Sequence, residues 1–154
     1  MKSLYLLSLL LTAKHENAER CFVSSLEECI EGNSVFKEWG HSWAKRMIAK
    51  NAIQMIAPSL CTDNDAVADL SDVCYGVEGT QQAHRAMVEI LALHDFGRFV
   101  FVLSVLERYS DRDCAFLLGC TQHEVFEARA KALWQIGGHN AANPPKMEDR
   151  KALK

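Results

Sequence analysis

The sequence predicts an all-α protein made of two small helical domains joined by a linker, the C-terminal one a helix-turn-helix. Three observations carry this expectation. Apolar residues recur at helical spacing through residues 2–57 and again through 81–138, without alternating runs in the first stretch. The intervening residues 58–80 hold five acidic side chains (Asp63, Asp65, Asp69, Asp72, Glu78) and no Lys or Arg. The stretch DRDCAFLLGCTQHEVFEAR at 111–129 places Ala115, Gly119 and Val125 at relative positions 5, 9 and 15. Those are the crossing, turn and return positions of two helices joined by a short turn.

The elements follow in order. The opening MKSLYLLSLLLTAK reads as a buried first helix. One lysine, an apolar run of about nine residues and an unconvincing cleavage region do not make a secretory leader. The run is also too short to span a bilayer. Ala18, Phe22, Leu26 and Cys29/Ile30 then recur at helical spacing, and Gly32-Asn33 ends that helix. Phe36, Trp39, Trp43 and Met47 form the next stripe, at i, i+3, i+7 and i+11, in a helix that Pro58 closes. Residues 58–80 are punctuated by Gly76, Gly79 and Ser/Thr and read as a linker, with room for a short helix near residues 66–73. Further helices are expected at 81–93, 97–107, 111–118 and 121–136, and the tail 139–154 is expected to be disordered. The domains are therefore 1–57 and 81–138, with the linker at 58–80.

Each residue of the helix-turn-helix pattern has a steric reason. Ala115 sits where two helices cross closely, so a larger side chain would push them apart. Gly119 falls at the turn, where a positive φ is easiest without a Cβ. Val125 returns from the second helix to the same core, beside Cys114, Leu118, Cys120 and Ala128.

Composition narrows the function classes. The chain has 154 residues, 49% of them hydrophobic and 24% charged, with a net charge of -3. Any contact with nucleic acid must therefore be local rather than a general basic coat. The six cysteines contain no CxxC pair and are expected to be reduced in a cytoplasmic protein. Cys114, Cys120 and His123 lack a recognised zinc spacing and a fourth ligand, so no metal or other cofactor is expected. An enzyme is not expected either. Serine, histidine and acidic residues are scattered without a nucleophile elbow, a glycine-rich phosphate loop or a metal-ligand helix motif. The acidic linker admits two readings, a solvated tether or a nucleic-acid mimic for a basic channel in a partner.

Over residues 91–133, LALHDFGRFVFVLSVLERYSDRDCAFLLGCTQHEVFEARAKAL resembles region 4 of RNA polymerase sigma factors of the extracytoplasmic-function type. The matching positions include Leu93, Arg98, Phe101, Leu103, Glu107, Tyr109, Ser110, Ala115, Leu118, Gly119, Val125 and Ala132. LYLLSLLLTAKHENAERCF resembles the opening helices of region 2, and FKEWGHSWAKRMIAKNAI its helix ending in Ala-x-Asn. The two matches are collinear and cover about 110 of the 154 residues.

The resemblance implies core RNA polymerase and promoter DNA as partners, with no role at a membrane. Glu16, Glu19 and Arg20 would face polymerase. Lys45, Arg46, Lys50, Asn51 and Gln54 would meet the minus-ten element. Thr121, Gln122, His123, Phe126, Glu127, Arg129 and Lys131 would meet the minus-35 element. Arg46 and Lys50 are four residues apart and share a helix face that can track a backbone, although a solvated face is the plain alternative. Trp39 and Trp43 are core residues on the apolar stripe or platforms for an unpaired base.

Two departures from the family pattern bear on function. After Ala18-Glu19, where the family carries acidic and amide groups, this chain has Arg20, Cys21, Phe22, Val23 and Ser24. The recognition helix has cations only at Arg129 and Lys131, and a family arginine position aligns with Ala128. Phosphate neutralisation supplies most non-specific affinity. Carboxylates facing a groove oppose it, although one can accept a hydrogen bond from cytosine. The alternative function is therefore an interaction protein of sigma-like fold that has lost DNA reading and regulates a protein partner, such as another sigma factor. For a sigma factor, an anti-sigma or other regulatory protein is a further partner.

Overall fold

The computed structural model describes residues 1–31, 40–58 and 81–138. Among these, every regular element is helical. The linker beyond Pro58, the tail 139–154, Phe36 and Trp39 lie outside the described residues.

Helix α1 (Lys2–Thr12) is the leucine run, and it is wrapped on most of its circumference. Leu4, Leu7, Leu9, Leu10 and Leu11 are all buried. Two hydroxyls share that burial without cost to the backbone ladder: Ser8 Oγ donates to the Leu4 carbonyl at 3.3 Å, and Thr12 Oγ1 to that of Ser8 at 2.8 Å. The helix stops at Ala13, whose φ of 58° lets its N–H close on the Leu9 carbonyl. Helices α2 (His15–Glu31) and α3 (Gly40–Ile56) pack against α1 and each other through mostly small side chains around Ile48. Ala18, Cys21 and Ser25 on α2 and Ala44, Ile48 and Ala52 on α3 are buried, which lets the helices approach closely. The stripe expected around Trp43 divides: Met47 is buried, but Trp43 is 48% exposed. Ile30, expected in the same core as Ala18, is also exposed.

The second half begins with α4 (Gln81–Leu91) and α5 (Asp95–Phe101). A π-helical segment (Val102–Leu106) continues α5, and the Glu107 N–H reaches back to the Val102 carbonyl at 3.0 Å. The chain then reverses at Arg108, a non-glycine residue with φ of 59°, before α6 (Asp111–Leu118) and α7 (Gln122–Gly138).

The two sequence segments share buried side chains. One core gathers Leu4, Leu7 and Leu11 of α1, Ile48 of α3, Leu91 of α4, Phe99 and Phe101 of α5, and Ala132 of α7. A second core gathers Phe96, Val100 and Leu103 with Cys114, Ala115, Val125 and Ala128, and α3 adds Ala49 to it. Arg98 ties the same junction by hydrogen bonds. Its guanidinium is 3% exposed and donates to the Leu93 carbonyl at 3.1 Å and to the Leu11 carbonyl, at the end of α1, at 3.3 Å. Asp95 lies against it as a counter-ion at 2.5 Å. Burial lowers the Arg98 pKa, and Asp95 opposes that shift.

Candidate nucleic-acid interface

The α6–α7 unit is built from its caps inward. Ser110 starts α6: its Oγ accepts the Asp113 N–H at 3.1 Å and donates to the Asp113 carboxylate at 2.7 Å. The helix ends at Gly119, with φ of 66°, and the N–H groups of Gly119 and Cys120 both turn back to the Ala115 carbonyl. Thr121 and Glu124 then open α7 as a reciprocal capping pair. Glu124 accepts from the Thr121 N–H at 2.7 Å and from its hydroxyl at 2.8 Å, while the Glu124 N–H reaches Thr121 Oγ1 at 3.3 Å. These bonds, the backbone one first, hold the Glu124 carboxyl below its ordinary pKa.

Behind this turn lie Cys114, Ala115, Val125 and Ala128, all buried, with Leu118 and Cys120 partly buried against them. Desolvation, with Asp111 and Asp113 nearby, pushes the Cys114 thiol up to about 11. Burial first, then Glu124, raises that of Cys120. Both sulfurs act as small hydrophobes in this setting. Cys114, Cys120 and His123 form no ligand cluster, and no other trio of His, Cys, Asp or Glu among the described residues does.

The residues expected to face the minus-35 element fall into two groups. Gln122, His123, Phe126, Glu127 and Lys131 are exposed on α7, with His123 Nε2 3.4 Å from the Glu127 carboxylate. Thr121 is exposed, yet its hydroxyl is committed to the cap. Arg129 is half-buried and held across the unit by Asp111, to which its Nη2 donates at 3.1 Å, and its guanidinium lies 5.7 Å from the Phe126 ring centroid. Ala128, where the family arginine aligns, is buried.

On α3 the expected contacts are similarly divided. Arg46, Lys50 and Gln54 are exposed. Lys50 Nζ lies 3.4 Å from Glu28, and Lys45 Nζ 2.8 Å from Glu107 in the second half of the chain. Asn51 corrects the expectation of an outward contact. It is buried, and its amide donates to Ser25 Oγ at 3.1 Å and to Glu28 at 3.0 Å, so it fastens α3 to α2. Glu16, Glu19 and Arg20 are exposed on α2.

Two features escaped the sequence reading. The capping pair was legible as Thr-x-x-Glu at 121–124. The other is a second apolar stripe on α7. Val125, Ala128, Ala132 and Ile136 face the cores, while Phe126, Ala130, Leu133, Trp134 and Gly137 face solvent. The signal was apolar residues at helical spacing in two registers of one helix. No helix among the described residues is long and apolar enough to cross a membrane. No protein-family model, curated protein or solved structure matches the chain.

Proposed function

We propose that this chain is a sigma-type transcription-initiation protein whose two helical units contact core RNA polymerase and promoter DNA. The region 2-like unit (residues 1–57) would dock on polymerase through Glu16, Glu19 and Arg20 and meet the minus-ten element through Arg46, Lys50 and Gln54. The region 4-like unit (81–138) would present α7 to the minus-35 element as a recognition helix. The observation that carries this reading is the α6–α7 geometry. Ala115 and Val125 pack beneath a left-handed Gly119, and Gln122, His123, Phe126 and Glu127 point outward from the first turns of α7.

Local cations are scarce, so polymerase must supply much of the affinity. Lys45, Lys50 and Arg129 each have a carboxylate neighbour. The exposed Lys50–Glu28 pair exchanges at little cost, whereas Lys45 and Arg129 are partly buried against theirs and are less available to phosphate. The isolated chain is expected to bind DNA only in the non-specific range, on the order of 10⁻⁴–10⁻⁶ M. The test is promoter-fragment binding across a salt series, comparing the native chain with R46A/K50A. Loss of about two phosphate contacts should reduce the log–log salt slope by roughly 1.8. An unchanged slope would remove α3 from the interface.

A second reading, an interaction protein of sigma-like fold, is favoured by the apolar outward face of α7. Binding to neither polymerase nor DNA, with the chain folded, would leave that reading in place of the first.

A further inference from the structure

We propose that α7 is also a self-association surface, on which a second copy of this chain packs antiparallel along the outward apolar stripe. The proposal rests on the exposure of α7 and not on promoter reading.

A helix that is apolar on two opposite faces belongs between two layers. The α7 helix has one layer beneath it. Val125 and Ala132 are fully or almost fully buried, whereas on the other side Phe126 is 55% exposed and Trp134 75%. Phe126, Ala130, Leu133, Trp134 and Gly137 fall within an arc of about 100° at 3.6 residues per turn, opposite the buried stripe. Nothing within 4 Å would meet a Cβ added at Gly137, so this end of the face is open.

The occupant is argued from pattern and charge. The stripe is large–small–large: Phe126, then Ala130, then Trp134. Reversed on itself about Ala130, it sets each Phe126 against the other copy's Trp134, with the two alanines letting the backbones approach at the centre. One flank of the stripe carries Glu127 and Lys131. In an antiparallel pair the same flank of both helices meets, which brings Glu127 of each copy to Lys131 of the other, twice over. Against this stands a single Lys131–Lys131 approach at the centre, so the attractions outnumber the repulsion. The opposite flank carries Arg129, already neutralised by Asp111, and Gln122. At the N-terminal end, His123 faces Glu127 of its own helix and leaves the carboxylate accessible. A two-fold interface is self-complementary by construction, and this face satisfies that condition.

One helix face per copy is a small interface, so association is expected in the micromolar range, about 1–100 µM. Pairing also covers Phe126 and Glu127, so one α7 cannot hold a second copy and enter a major groove together.

The test is sedimentation equilibrium of the full chain over about 1–300 µM, with far-ultraviolet circular dichroism as the folding control. A dimer is expected, and W134E should be monomeric with an unchanged spectrum. E127K alone and K131E alone should each weaken association about tenfold, because each replaces two attractions by two repulsions. The double variant E127K/K131E should restore it to within about threefold. A chain monomeric throughout would overturn the proposal and leave promoter reading untouched. That result would include a face covered by residues 59–80 or 139–154, or reserved for a different protein. A dimer that persists in W134E, or a charge swap that fails to restore association, would overturn it as well.

Discussion

Ala115 and Glu127 mark the extremes of what one side chain does in the α6–α7 unit. Ala115 lies in the helix crossing with Val125 and Ala128, while Glu127 faces water. Ala115→Leu should cost roughly 1–3 kcal/mol by overpacking, and Glu127→Ala less than about 0.5 kcal/mol. Equal shifts in thermal denaturation would mean that the crossing is misplaced. Asn51 is the third informative residue. Asn51→Ala removes a buried donor from Ser25 and Glu28 and should cost about 1–2 kcal/mol in the same assay. Small residues at a close crossing are legible from spacing, and Ala115 and Val125 were read that way. Asn51 was not, because an amide within an amphipathic helix looks alike whether it faces water or a neighbouring helix. Only the placement of Ser25 and Glu28, more than twenty residues away in sequence, decides it.

At the scale of the element, α7 depends on its first turn. Thr121→Ala should cost about 1 kcal/mol by unsatisfying N-terminal donors. Glu124 adds a pH dependence whose sign follows from its bonds. Its carboxylate accepts from the Thr121 N–H and hydroxyl, so the charged form is favoured and the folded-state pKa is depressed. The stabilisation is therefore present above the unfolded carboxylate value, about 4.3, and is lost as pH falls through the lower folded value. Thermal unfolding of the native chain and Glu124→Gln should differ at pH 7, and the gap should close toward pH 3. A gap that widens on acidification would contradict the capping geometry. Helices α1, α2, α6 and α7 were legible because apolar residues recur at helical spacing and Gly119 marks the turn between the last two. The π-helical turn at Val102–Leu106 was not, since one extra residue in a helical turn leaves the apolar composition unchanged and shows only in where Glu107 and Tyr109 find their carbonyls. The outward stripe on α7 was hidden for a related reason. Its residues interleave with the buried ones, and periodicity does not say which stripe meets the core.

For the whole molecule, the consequence is how the two halves hold together. Leu4, Leu7 and Leu11 share a core with Leu91, Phe99 and Ala132, and Arg98 bonds to the end of α1. A chain cut at a protease site engineered into residues 59–80 should therefore give fragments that co-elute until denatured. Arg98→Met should weaken their association, because the Leu11 carbonyl loses its donor from across the cut, at about 1–3 kcal/mol. Fragments that separate freely under native conditions would contradict the shared core. The sequence composition marks residues 58–80 as different, but which apolar stripe of one half meets which stripe of the other is a tertiary fact that spacing does not encode.

The proposed function is transcription initiation together with core RNA polymerase. Its most direct test is fluorescence anisotropy of a labelled promoter-rich genomic DNA pool, titrated with the folded chain in the presence and absence of purified core RNA polymerase. Weak binding by the chain alone that rises sharply with polymerase is expected, since polymerase adds the phosphate contacts that α3 and α7 lack. No binding in either condition, or binding by polymerase that the chain does not change, would contradict the claim.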